Sequence, residues 1–250
     1  MKNLFLIFAA TLFLGIGTAY ATNITIPDKN SAAETGWYGM QEDDEVEPGM
    51  AQNQAWDLEG FFLNGKMLSL VGGYDFQNGA GRWNSGDIFI DINGDAVYGD
   101  IHEGTKGNHS VQETYGYDYA IDLYWTGDIF SYNVFELDSD TWLQRAFYHQ
   151  NQGSSPWRYE SGGNQILNEV TGQYTANASG YDTFSGDWHN ELIVDLSFLP
   201  KGSEFIAHFT MGCGNDNIMG QGTTPNPEPA TMVLLGFGLI GIAGLYRKKL

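Results

Sequence analysis

Trp56-Asp57-Leu58-Glu59-Gly60-Phe61-Phe62-Leu63-Asn64-Gly65-Lys66-Met67-Leu68-Ser69-Leu70-Val71 sets two apolar-rich runs on either side of Asn64-Gly65. Asn-Gly tolerates the positive backbone angles of a two-residue turn, so the dipeptide between such runs marks a β-hairpin. The same grammar extends outward in the chain. Asp87-Ile88-Phe89-Ile90-Asp91-Ile92 places its three isoleucines on one face, residues 117–125 and 128–137 flank Thr126-Gly127, and residues 165–170 form a shorter run. Residues 191–196 and 204–211 close the series, with Leu199-Pro200-Lys201-Gly202 turning between them. In the last run Phe205, Ala207, Phe209 and Met211 alternate with Ile206, His208 and Thr210, the period of a half-buried strand. No amphipathic helix longer than about ten residues is apparent. These strands, with turns between them, predict an all-β fold, an antiparallel β-sandwich that is jelly-roll-like, in one domain over residues 50–220. Residues 22–49 read as an irregular acidic lead-in holding one edge strand at 23–26 and the acidic run 42–47. Residues 221–226 read as a linker.

Charge narrows the partners. Of 31 acidic residues all lie in 22–229, against seven of the eleven cations, so that part carries 7 − 31 = −24. Such a field repels nucleic acid and attracts divalent cations. Aromatics at 14% and 33 glycines argue against disorder, which is aromatic-poor. The single cysteine, Cys213, excludes an intramolecular disulfide and is expected to be buried or to line a turn.

The two ends carry addresses. Lys2, the apolar residues 4–15 and Ala19-Tyr20-Ala21 make residues 1–21 a secretory signal peptide, to be cut by signal peptidase after Ala21. No Leu-x-x-Cys lipoprotein box is present. At the other end Pro227-Glu228-Pro229 precedes residues 230–246, an uncharged run about 25 Å long as a helix. Arg247, Lys248 and Lys249 follow and would stay on the cytoplasmic side of a membrane. Tripeptide, short Gly-rich span and basic end, in residues 227–250, resemble the PEP-CTERM sorting signal of exported bacterial proteins. That resemblance implies recognition of the tripeptide by an exosortase, transient membrane insertion of the helix at 230–246, its removal, and delivery to the cell surface or extracellular matrix. The usual Val before the tripeptide is replaced by Asn226. The middle of the chain, through Glu45-Val46-Glu47-Pro48, Gln54-Ala55-Trp56-Asp57-Leu58-Glu59, residues 86–91 and Cys213-Gly214-Asn215-Asp216, is similar to a group of exported proteins with the same tail and no assigned reaction.

Two constellations carry the candidate chemistry. Asp91, Asn93 and Asp95 stand at alternate positions, as in a loop that turns several oxygens onto one hard cation, with Asp100 as a further ligand. The match to an EF-hand fails afterwards, because Ala96 holds the glycine position and His102 the twelfth. Ca²⁺ is the cofactor expected here. The competing explanation is a solvated turn whose Asp and Asn side chains serve backbone geometry. Trp83, Trp157 and Trp188 fall in expected loops beside Asn, Arg, Glu, His and Asp, where exposed rings would stack on polysaccharide. Against this, tryptophan in a sandwich also serves as core. For catalysis no Gly-x-Ser-x-Gly, His-Glu-x-x-His or phosphate loop occurs, and Asp187-Trp188-His189 remains a candidate acid/base group. The function expected is a non-catalytic exported surface or matrix protein that binds polysaccharide and calcium. The alternative is a secreted carbohydrate-active hydrolase or lyase on the same fold.

Overall fold

The computed structural model describes residues 21–26, 43, 46–47, 50–97, 106–148 and 153–226. Residues 1–20 of the signal peptide expected at 1–21, Asp100, the sorting motif and the expected helix at 230–246 lie outside them. In chain order the described strands are β1 (Thr22–Asn23), β2 (Thr25–Ile26), β3 (Leu58–Asn64), β4 (Met67–Gly72), β5 (Ile88–Asp91), β6 (Ser110–Val111), β7 (Tyr119–Thr126), β8 (Ile129–Glu136), β9 (Trp142–Gln144), β10 (Arg158–Ser161), β11 (Asn164–Thr171), β12 (Gln173–Thr175), β13 (Asn190–Asp195), β14 (Glu204–Thr210) and β15 (Asn217–Thr223). The fold is all-β and antiparallel. Among the described residues no helix is long and apolar enough to cross a membrane.

The hairpin forms as expected. β3 pairs β4 with Asn64 opposite Met67, and Gly65 takes φ +61°, which costs a residue without a Cβ nothing. Thr126-Gly127 likewise joins β7 to β8, and Gly127 has φ +61°. Two sheets result. One has the order β1-β3-β4-β13-β12, the other β11-β8-β7-β5-β14-β15-β2. Leu58, Phe61, Leu68, Leu70, Leu192 and Val194 of the first share one buried cluster with Ile88, Ile90, Ile121, Val134, Phe205, Phe209 and Ile218 of the second. Each such side chain contributes about 1.5–3 kcal/mol on leaving water, so this shared cluster holds the two layers face to face.

A third layer was not expected. β10-β9-β6 forms a small sheet, and its Leu143 packs with Phe89, Tyr115, Tyr117 and Ala120 in a second cluster. β5 is therefore buried on both sides, Ile88 and Ile90 in the main core and Phe89 in the second. The same cover corrects the half-buried pattern expected of β14. His208 and Thr210, on its polar face, are fully buried. Thr210 donates through Oγ1 to the Asp216 carbonyl at 2.5 Å, and His208 Nε2–H donates to the Pro156 carbonyl at 2.8 Å.

Both ends of the domain differ from their expected roles. Residues read as lead-in supply strands to both sheets: β1 pairs β3, and β2 pairs β15. Between them the Ile24 N–H donates to the Phe61 carbonyl at 2.8 Å, while the Ile24 carbonyl accepts from Gln221 N–H at 2.8 Å. Residues 221–223, read as linker, complete β15, and Thr224 is buried with its hydroxyl donating to the Pro200 carbonyl at 2.7 Å.

Candidate functional site

Asp91 ends β5, and its carboxylate turns into the loop that follows. Oδ1 accepts from the N–H groups of Asn93 at 2.9 Å and Gly94 at 2.7 Å, and Oδ2 accepts from Ala96 N–H at 3.1 Å. Asn93 Oδ1 accepts from Asp95 N–H at 2.9 Å, repeating the device two residues on. Each carboxylate oxygen has two acceptor positions, so Oδ1 of Asp91 is filled by loop amides and Oδ2 keeps one position. The loop also gains an acid that the sequence does not place beside it. Asp118 Oδ2 accepts from Ile92 N–H at 2.7 Å, and its Oδ1 accepts from Asn93 Nδ2 at 3.2 Å. Burial first, then the charges of Asp91 and Asp95, hold the Asp118 carboxyl above the ordinary carboxylate range. Asn93, Asp95, Glu113, Asp118 and Asp138 line one open cavity of about 310 Å³. The structure thus brings Asp91, Asn93 and Asp95 together.

The three tryptophans have different settings. Trp157 does not offer its ring as expected: it is 6% exposed, its backbone bound to Gln144 and Asp87 and its ring packed beside Gly212. Trp83 is half-buried, 4.9 Å from Phe147 between ring centres. Trp188 is 38% exposed, yet fixed, for its indole N–H donates to the Gly73 carbonyl at 2.9 Å.

Next to Trp188 lies a buried polar network that sequence reasoning missed. Glu59, on β3, and His189, just before β13, are 130 residues apart and both buried. His189 Nδ1 stands 2.8 Å from each carboxylate oxygen of Glu59. Gln54 Nε2 donates to Glu59 Oε1 at 2.8 Å and to the Trp188 carbonyl at 2.7 Å, tying the ring's backbone to the acid. Asp43 and Asp57 complete the group, with oxygens of Asp43, Asp57 and Glu59 all within 4.8 Å of one another. Asp43 also accepts from Ser185 N–H through both oxygens, at 2.9 and 3.0 Å. Three carboxylates this close repel, and N–H donors or a hard cation would offset that repulsion. Asp187-Trp188-His189 was the one sequence signal here, but the histidine's acid is Glu59 and comes from another strand.

The tail is the part of the chain that comparison with known proteins reaches. Residues 227–248 match the family described as the PEP-CTERM protein-sorting motif. The chain therefore carries that motif, which marks an exported protein that passes the membrane to the cell surface and has exosortase as its processing partner. No curated protein and no solved structure matches the chain.

Proposed function

We propose that the exported domain is a non-catalytic binding module of the cell surface or extracellular matrix, which holds polysaccharide and takes Ca²⁺ as a structural cation. The observation that carries this is Trp188: an exposed ring, held by its own N–H, on a segment whose backbone carbonyl Gln54 ties to the buried Glu59–His189 pair. A flat ring stacks on the C–H face of a sugar while amide and carboxylate groups take hydroxyls, and rigid rings bind at little entropic cost. Glycan-array binding without turnover, reduced at least tenfold by Trp188→Ala, is the expected result. Because that ring is partly in water, the variant should keep its fold. Retained binding in Trp188→Ala would sink the proposal.

The calcium part places the ion at Asp91, Asn93 and Asp95, with Asp118 as a neighbour. Melting in Ca²⁺ at 100 times Kd should gain about 2.7 kcal/mol over melting with chelator. A shift abolished by Asp91→Asn supports that loop, and a shift abolished only by Asp57→Asn moves the ion to the cluster beside His189. No shift ends the calcium part. The Glu59–His189 contact favours a second reading, a secreted carbohydrate-active hydrolase or lyase in which this pair moves a proton. Product release from a matrix polysaccharide, lost in Glu59→Gln, is its signature and would replace the binding reading.

A further inference from the structure

The geometry points to an anion-recognising subsite at Arg82 and Lys106, built on the rings of Trp83, Phe147 and Tyr148, that takes a carboxylated or sulfated polysaccharide. This deepens the polysaccharide-binding reading by naming the ligand's chemistry and a second contact area. The Arg82 guanidinium lies 4.5 Å over the Trp83 ring and 5.7 Å from that of Phe147. The Lys106 ammonium lies 4.6 Å over the Tyr148 ring. The rings form one cluster, with centres 4.9 Å apart for Trp83–Phe147 and for Phe147–Tyr148.

Backbone ladders fix this corner. The Asn84 carbonyl accepts from Gly212 N–H at 3.0 Å, the Gly212 carbonyl from Phe147 N–H at 2.9 Å, and the Phe147 carbonyl from Gly107 N–H at 3.0 Å. The rings are half-buried and both cations exposed, so the charge is presented outward on a rigid base.

Charge makes the arrangement unusual for this protein. Residues 22–229 hold 31 acids and seven cations, so a cation placed without purpose would meet carboxylates on most sides. Yet residues 79–86, 106–112, 143–148 and 210–215, the segments that meet here, contain no Asp or Glu. Among the described residues neither Arg82 nor Lys106 has a carboxylate within ion-pair distance; their contacts are the ring faces. A guanidinium lying flat on an indole keeps its N–H edge free for bidentate contact with a carboxylate or sulfate. The rest of the surface repels a polyanion, which steers it to this corner.

The test is retention of the exported protein on polygalacturonate, dextran sulfate and neutral dextran at about 0.15 M salt, where screening beyond roughly 8 Å silences the distant acids. Binding to at least one anionic polymer, weakened at least tenfold by Arg82→Gln with Lys106→Gln at unchanged melting temperature, supports the subsite. The matched control Lys66→Gln with Lys201→Gln should bind as the unaltered protein does. Polygalacturonate and dextran sulfate tell carboxylate from sulfate recognition. Equal binding by the Arg82/Lys106 variant, equal loss in the control pair, or tighter retention of duplex DNA would each overturn the proposal. Retention on neutral glycans alone, dependent on Trp188, would overturn it while leaving the general polysaccharide reading intact. Retention on none of the polymers, with a blank glycan array, removes both.

Discussion

His208 makes the domain sensitive to acid in a way that can be calculated. Its ring is fully buried, stacked 5.6 Å from Tyr117, with Phe89 at 6.1 Å and Nδ1 3.3 Å from the Met219 sulfur. Burial is the main cause, and it depresses the imidazole from 6.5 to about 4, although the Pro156 carbonyl and Asn217 oppose the shift. The unfolded chain takes up a proton on this residue below pH 6.5, while the folded chain declines it until about pH 4. Acidification therefore favours the unfolded state, and the stability held above pH 6.5 is lost as pH falls towards 4. For one site with these values the loss is about 2 kcal/mol at pH 5 and about 3 kcal/mol at pH 4. Asp87 acts with opposite sign. Burial first, then the Asp122 charge, raises its carboxyl to about 8, so its contribution falls as pH rises from the ordinary carboxylate range through 8. Urea unfolding of the exported protein and His208→Gln at several pH values from 4.5 to 8 isolates the histidine, because Asp87 titrates in both. Glutamine keeps an N–H for Pro156, and the gap between the two stability curves should narrow by about 2 kcal/mol on going from pH 8 to 5. Parallel curves would refute the argument. Should the variant not fold, an NMR titration of the His208 ring carbon decides, and a midpoint near 6.5 would also refute it.

Three further outcomes are expected. Gly220→Ala should destabilise by about 1–3 kcal/mol, since its Cβ would stand 2.9 Å from that of Phe61. Gly65→Ala meets open space and should cost only the left-handed backbone penalty, about 1–2 kcal/mol; urea unfolding measures both, and a Gly220→Ala protein as stable as the unaltered one would refute the packing argument. Asp91→Ala strips the acceptor from the amides of Asn93, Gly94 and Ala96 and should cost about 2–3 kcal/mol, with Asp91→Asn milder because one oxygen remains. Mass spectrometry of the surface protein should find a C-terminus near Pro229, and recovery of Leu250 would instead make the tail a retained anchor.

Local devices were legible in the sequence and distant ones were not. Asn64-Gly65 and Thr126-Gly127 announced their hairpins because a turn needs only its own residues. β15 was missed for a packing reason. Gly220 and Gly222 sit where the rings of Phe61 and Phe205 press, a Cβ at Gly222 falling 2.7 Å from Phe205 Cζ, so the alternation that betrays a strand is erased. β14 showed its alternation truly, but the cover over His208 comes from Phe89, Tyr117 and the segment around Pro156, which no local pattern on β14 reports. The Asp91 loop was legible as a loop, while its partner Asp118 lies 26 residues beyond Ile92. The Glu59–His189 contact joins β3 to the residue just before β13, and a chain with 31 acids offers no way to choose among them by inspection.

The strand order has a consequence for how export must end. β2, the first segment to join the larger sheet, takes as its partner β15, the last, with Thr25 opposite Gly220 and Ile26 opposite Met219. A chain threaded out from its N-terminus would therefore carry an unmated leading strand until nearly all of it had crossed. Thr224, the last buried residue among those described, precedes the sorting motif at 227 by three residues. Closure of the sheet and arrival of the cleavage signal at the membrane thus become nearly the same event, and a chain stopped before residue 217 would reach neither.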